Sequence, residues 1–240
     1  MPRQKPFLYF LFAVHLMCPP FLCIGETGYY ENEKTQKAVI DSFFASSSSN
    51  ISINNEIALL YAEKGKELLN EIEYVQGEQK YLLIKAQIAY YDDRYKEALA
   101  YLDSLGKILS LNIATPDLGR YYSLSALVNN YIGYHESAIE MNRKAISVYE
   151  KLADFTGMSV CYNAIGKTYL NQGENEMADR YFNLAFDFVQ NTTDKKAHGM
   201  ILINKGNLKI VQDSLDVAMQ LFTGAYDLFL EVGDLRRIAV

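Results

Sequence analysis

The sequence predicts an all-α protein, a solenoid built by stacking antiparallel helix pairs. Three kinds of residue recur every 40 positions, which is the spacing expected of a two-helix structural repeat. An alanine recurs within stretches of helical character, a turn-forming residue precedes it by five positions, and a small residue precedes it by twelve. The alanines are Ala58, Ala98, Ala138, Ala178 and Ala218; the turn residues are Asp93, Gly133, Gly173 and Asp213; the small residues are Ala86, Ala126, Gly166 and Gly206.

Each repeat is predicted to be one helix, a tight turn and a second, antiparallel helix. Small residues recur because two helix backbones must approach each other closely at those positions. Asp154, Asp194 and Asp234 recur at the same spacing where each new pair would begin. Aspartate stabilises a helix N-terminus by accepting a hydrogen bond from a free backbone N–H group. A single pair cannot bury its apolar surface alone, so consecutive pairs are expected to stack into one continuous core.

The stretch from Ile165 to Ala185 resembles the tetratricopeptide repeat. Residues in the family's signature positions are Gly166, Tyr169, Gly173, Ala178, Phe182 and Ala185. Departures in the other units are Asn129 and Lys209 in place of tyrosine, Asn142 in place of an aromatic residue and Leu105 in place of alanine. The resemblance covers about residues 54–233, with a period longer than the family's usual length of about 34, as in the subset used for bacterial peptide sensing. HEAT and armadillo repeats share the longer period but lack these glycine, tyrosine and alanine positions.

This resemblance implies a right-handed superhelix in which the first helix of each pair lines the concave side and binds extended peptides or partner segments. Asparagine and tyrosine would hold a peptide backbone, and leucine and isoleucine would supply apolar pockets. The alternative is that many of these residues contact the neighbouring repeat instead. Apart from Lys167 no basic cluster is expected there, which argues against a carboxylate clamp. The residues expected on this face are Gln87, Tyr90, Tyr91, Leu127, Asn130, Tyr131, Asn163, Lys167, Leu170, Asn171, Ile203, Asn207 and Ile210.

Residues 1–25 have the layout of a secretory signal peptide. Two basic residues precede an apolar run over residues 7–17, and no acidic residue occurs in the segment. We expect cleavage after Gly25 and export to the periplasm. Two alternatives remain, namely a leader retained as a membrane anchor and a lipid attached to Cys18 or Cys23.

The rest of the chain divides into three parts. Residues 26–53 are predicted to form a capping segment, a short amphipathic helix followed by a serine-rich linker over residues 46–52. Residues 54–234 are predicted to hold about four repeats and a partial one around Ala58. Residues 235–240 would start a further, truncated repeat, which leaves an apolar face uncovered because a solenoid needs a polar cap. Either the sequence is a fragment of a longer protein, or this face packs against a partner or a second copy.

Composition and motifs argue against several kinds of chemistry. The net charge of −6 disfavours binding to nucleic acid or anionic lipid. The Gly166–Thr168 stretch resembles the end of a phosphate-binding loop, but Cys161 stands where the motif requires glycine. His135 and His198 have no partners at metal-ligand spacing, and Cys161 is expected to be a buried, inert thiol. No catalytic residues, metal or cofactor are therefore predicted.

The predicted function is that of a non-catalytic scaffold that binds a protein or peptide, and specifically of an exported sensor or interaction module. The alternative is a structural adaptor in the assembly of a cell-envelope complex. No direct contact with nucleic acid is expected, and contact with a membrane is expected only through an anchor or a further C-terminal segment. Self-association through the uncapped C-terminal repeat is one of the alternatives to a longer chain.

Overall fold

The computed structural model describes residues 33–51, 53–111 and 113–234, and within these ranges it contains helices and no strands. The predicted signal peptide of residues 1–25 and the truncated repeat of residues 235–240 lie outside the described residues. In chain order the helices are α1 (Glu33–Asn50), α2 (Asn55–Leu69), α3 (Val75–Tyr91), α4 (Tyr95–Ile108), α5 (Pro116–Tyr131), α6 (His135–Lys151), α7 (Phe155–Asn171), α8 (Asn175–Val189), α9 (Lys195–Val211) and α10 (Leu215–Glu231).

These helices form five consecutive pairs, and the pairs stack into a solenoid. Each second helix packs against its own partner and against the first helix of the next pair. Consecutive first helices, from α1 to α9, also contact one another, whereas second helices within the described ranges do not contact one another. The first helices therefore lie closer together than the second helices, so the stack curves toward them and they line its inner side. The predicted all-α solenoid is confirmed.

The turns within the pairs lie at the positions that the 40-residue spacing predicts. Asp93, Gly133, Gly173 and Asp213 all adopt positive φ angles, of 58°, 91°, 78° and 54°. In each turn the next residue donates its backbone N–H to a carbonyl five positions earlier, as Glu174 does to Tyr169 at 2.9 Å. This geometry satisfies a carbonyl left open at the helix end and reverses the chain.

Two of the predicted helix caps are present. The carboxylate of Asp154 accepts a hydrogen bond from the backbone N–H of Gly157 at 2.8 Å, at the start of α7. Asp194 accepts one from Ala197 at 2.9 Å, at the start of α9. Both side chains satisfy an N–H group that has no partner within its helix, so both predicted caps are confirmed.

Inside the pairs, aromatic rings lie directly over glycines. A Cβ atom added to Gly166 would lie 2.6 Å from the ring of Phe182, and one added to Gly206 would lie 2.5 Å from the ring of Phe222. In the first pair, Gly65 of α2 faces the ring of Phe44 in the same way. These contacts bring the two helix backbones together with no intervening side chain, which explains why the sequence repeats small residues at these places.

The structure corrects one prediction, because the polar linker expected over residues 46–52 is helical as far as Asn50. The hydroxyl of Ser46 donates to the carbonyl of Ser42 at 2.9 Å, so it is satisfied within the helix. Ser47 is buried and donates to the carbonyl of Ala58 at 2.6 Å, which joins α1 to α2. Helix α1 is therefore the first helix of a complete pair, where the sequence predicted only a cap and a partial repeat.

We expect Gly166→Ala to lower the free energy of unfolding by about 1–3 kcal/mol, because the new methyl group would force the buried Phe182 ring to move. The matched control is Gly224→Ala in α10. There the new methyl carbon would lie 3.3 Å from its nearest side-chain neighbour, an atom of Leu202. This control should change the stability by less than about 1 kcal/mol. Urea unfolding followed by circular dichroism measures both, and equal effects would contradict the role assigned to the Gly166–Phe182 contact.

Candidate ligand-binding surface

The predicted binding residues all lie on first helices, namely α3, α5, α7 and α9. They fall into two groups by exposure. The exposed residues are Tyr91, Leu127, Tyr131, Lys167, Asn171, Asn207 and Ile210. The partly buried residues are Gln87, Tyr90, Asn130, Asn163, Leu170 and Ile203.

One row of exposed side chains runs along the inner side of the solenoid. Leu127, Lys167 and Asn207 are spaced 40 residues apart and occupy equivalent positions on α5, α7 and α9. The equivalent position on α3 holds Gln87, which is partly buried. Because these helices contact one another in order, the row places one side chain per repeat along the inner side. We call Gln87, Leu127, Lys167 and Asn207 the inner row.

Two of the predicted asparagines join successive pairs. The Oδ1 atom of Asn130 accepts a hydrogen bond from the Thr168 hydroxyl at 3.2 Å and lies 2.9 Å from Nδ1 of His135. The Oδ1 atom of Asn163 accepts one from the side-chain amide of Asn204 at 3.0 Å. The alternative interpretation, contact with the neighbouring repeat, therefore describes Asn130 and Asn163.

A pocket of about 360 Å³ opens between α1, α3 and α5. The buried side chains of Phe44, Leu83 and Ile84 provide its apolar lining, and the predicted residue Gln87 also lines it. Its charged residues are paired, Lys80 with Asp41 at 2.8 Å and Arg120 with Asp117 at 3.8 Å. This pocket therefore combines apolar surface with a balanced set of charges.

The basic residues of this pocket were not predicted from the sequence. Lys167 was expected as the isolated basic residue on this face, whereas Lys80 and Arg120 line the pocket on α3 and α5. A signal was present, because Lys80 and Arg120 are themselves 40 residues apart. The pocket was hidden because its third wall is α1, which was predicted as a cap outside the repeats.

A cluster of tyrosines lies where the inner side meets the turns within the pairs. The rings of Tyr95 and Tyr131 stack with centroids 5.2 Å apart, and the ring of Tyr90 meets that of Tyr131 edge-on at 5.4 Å. Tyr91 meets Tyr90 edge-on at 5.3 Å. Burial, together with a hydrogen bond to Tyr131, raises the pKa of Tyr90. We call Tyr90, Tyr91, Tyr95 and Tyr131 the rim patch.

The residues with reactive side chains occupy structural positions. Cys161 is buried in α7, its Sγ atom lies 3.3 Å from the Ser123 hydroxyl, and burial raises the pKa of the thiol to about 12. His198 meets the ring of Phe186 edge-on, and burial lowers the pKa of the imidazole. Thr168, in the stretch that resembles a phosphate-binding loop, donates to the carbonyl of Ala164 within α7.

Within residues 33–51, 53–111 and 113–234, no group of three or more histidine, cysteine or carboxylate side chains could hold a metal ion. No helix in the same ranges has the length and apolar character needed to cross a membrane.

Stacked helix pairs, with glycine–aromatic contacts inside pairs such as α7–α8 and α9–α10 and with first helices along the inner side, define an α-solenoid of the tetratricopeptide type. No protein-family model matches the sequence, and no curated protein sequence matches it. Solved structures do match by fold. The crystal structure of BtubC (BKLC) from P. vanneervenii matches with a TM-score of 0.62 at 14% identity, over 82% of this chain and 92% of that chain.

Two further solved structures are also similar in fold. Aspartyl phosphate phosphatase F from Bacillus subtilis matches with a TM-score of 0.68 at 16% identity, over 85% of this chain and 54% of that chain. The Rap conjugation gene regulator of plasmid pLS20, solved in complex with the Phr* peptide, matches with a TM-score of 0.58 at 15% identity. That match covers 79% of this chain and 63% of the regulator. At these identities the likeness is one of fold, and it confirms the tetratricopeptide-type architecture.

We expect Cys161 to react with a thiol reagent such as DTNB at least about tenfold more slowly in the folded protein than in urea, because a buried thiol with a raised pKa stays protonated. The measurement uses Cys18→Ser/Cys23→Ser protein, in which Cys161 is the remaining thiol. At both about pH 7 and about pH 9 the folded-state reaction should stay slower than the reaction in urea, since the raised thiol pKa leaves only a small thiolate fraction at either pH. Fast labelling of the folded protein would contradict this assignment and indicate a reactive thiol.

Proposed function

We propose that this protein is a non-catalytic scaffold whose inner side binds a protein segment or peptide in extended form. The observation that carries the proposal is the inner row, which places one accessible side chain per repeat on helices that contact one another in sequence. An extended peptide repeats its side chains at regular intervals, so a row of regularly spaced contacts matches it. The row combines an apolar side chain, amides and one cation. Together these would bind both the backbone and the side chains of the peptide.

The fold comparison supports peptide binding as a use of this fold. The regulator from plasmid pLS20 was solved with a peptide bound, and it shares its fold with this chain. The asparagines that join successive pairs would keep the first helices in fixed register, so that the inner row is arranged before a ligand arrives. Pre-arranged contacts lower the entropy cost of binding.

The non-catalytic part of the proposal is supported by where the reactive side chains lie. Cys161 is buried and its thiol pKa is raised, and His135 is engaged with Asn130 on the opposite side of a turn. A nucleophile needs a neighbouring base and access to substrate. Neither residue combines these requirements.

The finer part of the proposal is that the scaffold is exported and acts as a sensor or interaction module. Its support is the layout of residues 1–25, with basic residues, an apolar run and small residues near Gly25. The alternative, a structural adaptor in a cell-envelope complex, uses the same surface to hold subunits. A sensor should release and rebind its ligand, whereas an adaptor should hold its partner in a lasting complex.

Leu127→Asp tests the inner row. Peptides are first selected from a random library displayed on phage against the full chain, and their affinities are measured by fluorescence anisotropy. We expect the substitution to weaken binding by about tenfold or more, because it places a charge at the centre of the contact surface.

Leu152→Asp is the matched control, since both leucines are 36% exposed and Leu152 is the C-cap residue of α6, a second helix away from the inner row. It should leave the affinity unchanged. Equal losses in the two variants, or selected peptides that bind the Leu127→Asp protein normally, would overturn the proposed binding surface.

Export is tested by expressing the full chain in a bacterium and sequencing the N-terminus of the protein recovered from the periplasm. We expect the mature protein to begin at Glu26, because the signal peptidase reads small residues just before its cleavage site. Phe10→Arg interrupts the apolar run and should keep the protein in the cytoplasm. Recovery of the complete, unprocessed chain from the cytoplasm in both cases would contradict export.

A further inference from the structure

The rim patch exposes more aromatic surface than the packing of the repeats requires. Tyr91 and Tyr131 occupy equivalent positions at the ends of α3 and α5, and each is 52% exposed. Three residues beyond Tyr131, on the turn between α5 and α6, Tyr134 is 63% exposed. The equivalent positions on the later pairs carry no aromatic ring, with Asn171 and Val211 in place of the exposed tyrosines. The patch is therefore a local feature of two neighbouring repeats and not a requirement of the fold.

The rings are held in place by one another. Tyr90 meets Tyr91, Tyr95 and Tyr131 at centroid distances of 5.3, 6.0 and 5.4 Å. The hydroxyl of Tyr95 donates to Oδ1 of Asp93 at 2.5 Å, which fixes this ring to the turn. Exposed rings held in this way lose little conformational entropy when a ligand binds, so the patch is already arranged for contact.

Carboxylates outnumber basic side chains in the turns beside the rings. The two turns that flank the patch, residues 92–97 and 132–136, carry four carboxylates and two basic side chains. One of the two basic side chains, Arg94, is already paired with Asp92 and Glu97. The other is Lys96, which is exposed on α4. His135 faces the amide of Asn130 at 2.9 Å. The surroundings of the patch are therefore net acidic.

Aromatic faces and carboxylates together attract the same kind of group. The face of an aromatic ring is electron-rich and binds a guanidinium or ammonium group, and a nearby carboxylate adds a favourable charge interaction. The chain already uses this combination internally, since the ammonium group of Lys85 lies between the rings of Tyr81 and Tyr101 and pairs with Glu63 at 2.8 Å.

From this combination of exposed tyrosines and acidic turns we infer that the rim patch binds a basic segment of a protein partner, with arginine or lysine side chains placed against the rings of Tyr91 and Tyr131. The inference rests on the proposed function, because the patch forms the edge of the same inner side. It adds the chemistry of the partner, since the part of the ligand that crosses this edge must be positively charged. It also sets the orientation of the ligand along the inner side. The patch lies nearer the first helix pair than the last, so the basic part of the ligand would lie toward the first pair.

Two capped peptides that differ only in charge test this inference, Ac-Gly-Arg-Gly-Arg-Gly-NH2 and Ac-Gly-Glu-Gly-Glu-Gly-NH2. Each is titrated to about 10 mM into the full chain labelled with ¹³C in its tyrosine rings, and NMR follows the ring signals. We expect the arginine peptide to shift the signals of Tyr91, Tyr131 and Tyr134, and the glutamate peptide to leave them in place. Added salt should weaken the binding, because its charge component is screened.

Substitutions test whether the tyrosine rings themselves bind the arginine peptide. Tyr91→Leu and Tyr131→Leu should each weaken binding of the arginine peptide by about two- to fivefold, whereas Tyr131→Phe should retain it because the ring remains. Tyr226→Leu is the control, since Tyr226 is similarly exposed but lies on α10. No shift with the arginine peptide, or equal shifts with both peptides, overturns the inference.

The two proposals fail separately. If peptides selected against the chain lose affinity in the Leu127→Asp variant while the rim patch ignores the arginine peptide, the inner row binds its ligand and the basic segment is wrong. If the arginine peptide binds while Leu127→Asp has no effect on any selected peptide, the patch is a binding surface in its own right and the inner-row proposal is wrong.

Discussion

Close approach of helix backbones within each pair is the constraint on which the rest of this structure depends. Where Phe182 lies over Gly166, the ring fills the space that a side chain on the opposing helix would otherwise occupy. The same arrangement recurs with Phe44 over Gly65 and Phe222 over Gly206. In these pairs the ring sets the separation between the two helices, and the next pair docks against the surface that results. A solenoid is stable only when such units repeat, because each contacts mainly its neighbours.

The inner side follows from this arrangement. Second helices pack between successive first helices on the outer side, while the first helices contact one another directly. Positions repeated every 40 residues therefore line up in rows along the solenoid, as Leu127, Lys167 and Asn207 do. Rows of this kind are free to vary in chemistry from repeat to repeat, since the fold is maintained by the glycines, alanines and aromatic residues elsewhere. If the inner row binds a ligand as proposed, the side chain that each repeat places in it sets the binding specificity.

The two ends of the inner side differ in chemistry. Toward the first pairs lie the pocket with its paired charges, Lys80 with Asp41 and Arg120 with Asp117, and the rim patch of tyrosines. Toward the last pairs the exposed positions are amides and aliphatic side chains, such as Asn207 and Ile210. An extended ligand would therefore meet different chemistry along its length and would bind in one direction.

Much of the fold was predictable because its signals are local or strictly periodic. Turn residues such as Gly173 and caps such as Asp194 act through their own backbone and a few neighbouring positions, so spacing alone located them. The helical state of residues 46–50 was not predicted, because it depends on contacts with residues distant in the sequence. Ser47 is satisfied by the carbonyl of Ala58, eleven residues away on another helix. The pocket was missed for the same reason, since one of its walls is that unexpected helix.

By itself, the sequence determined the repeat length, the turns, the caps and the side of each repeat that carries variable residues, because these follow from periodicity and local hydrogen bonding. Only the tertiary structure decided which of the variable residues are accessible. Asn163 and Asn171 look alike in sequence, yet Asn163 bonds to Asn204 of the next pair whereas Asn171 is exposed. That difference depends on how far one helix rotates against the next, and the rotation is set by packing across pairs that no local pattern records.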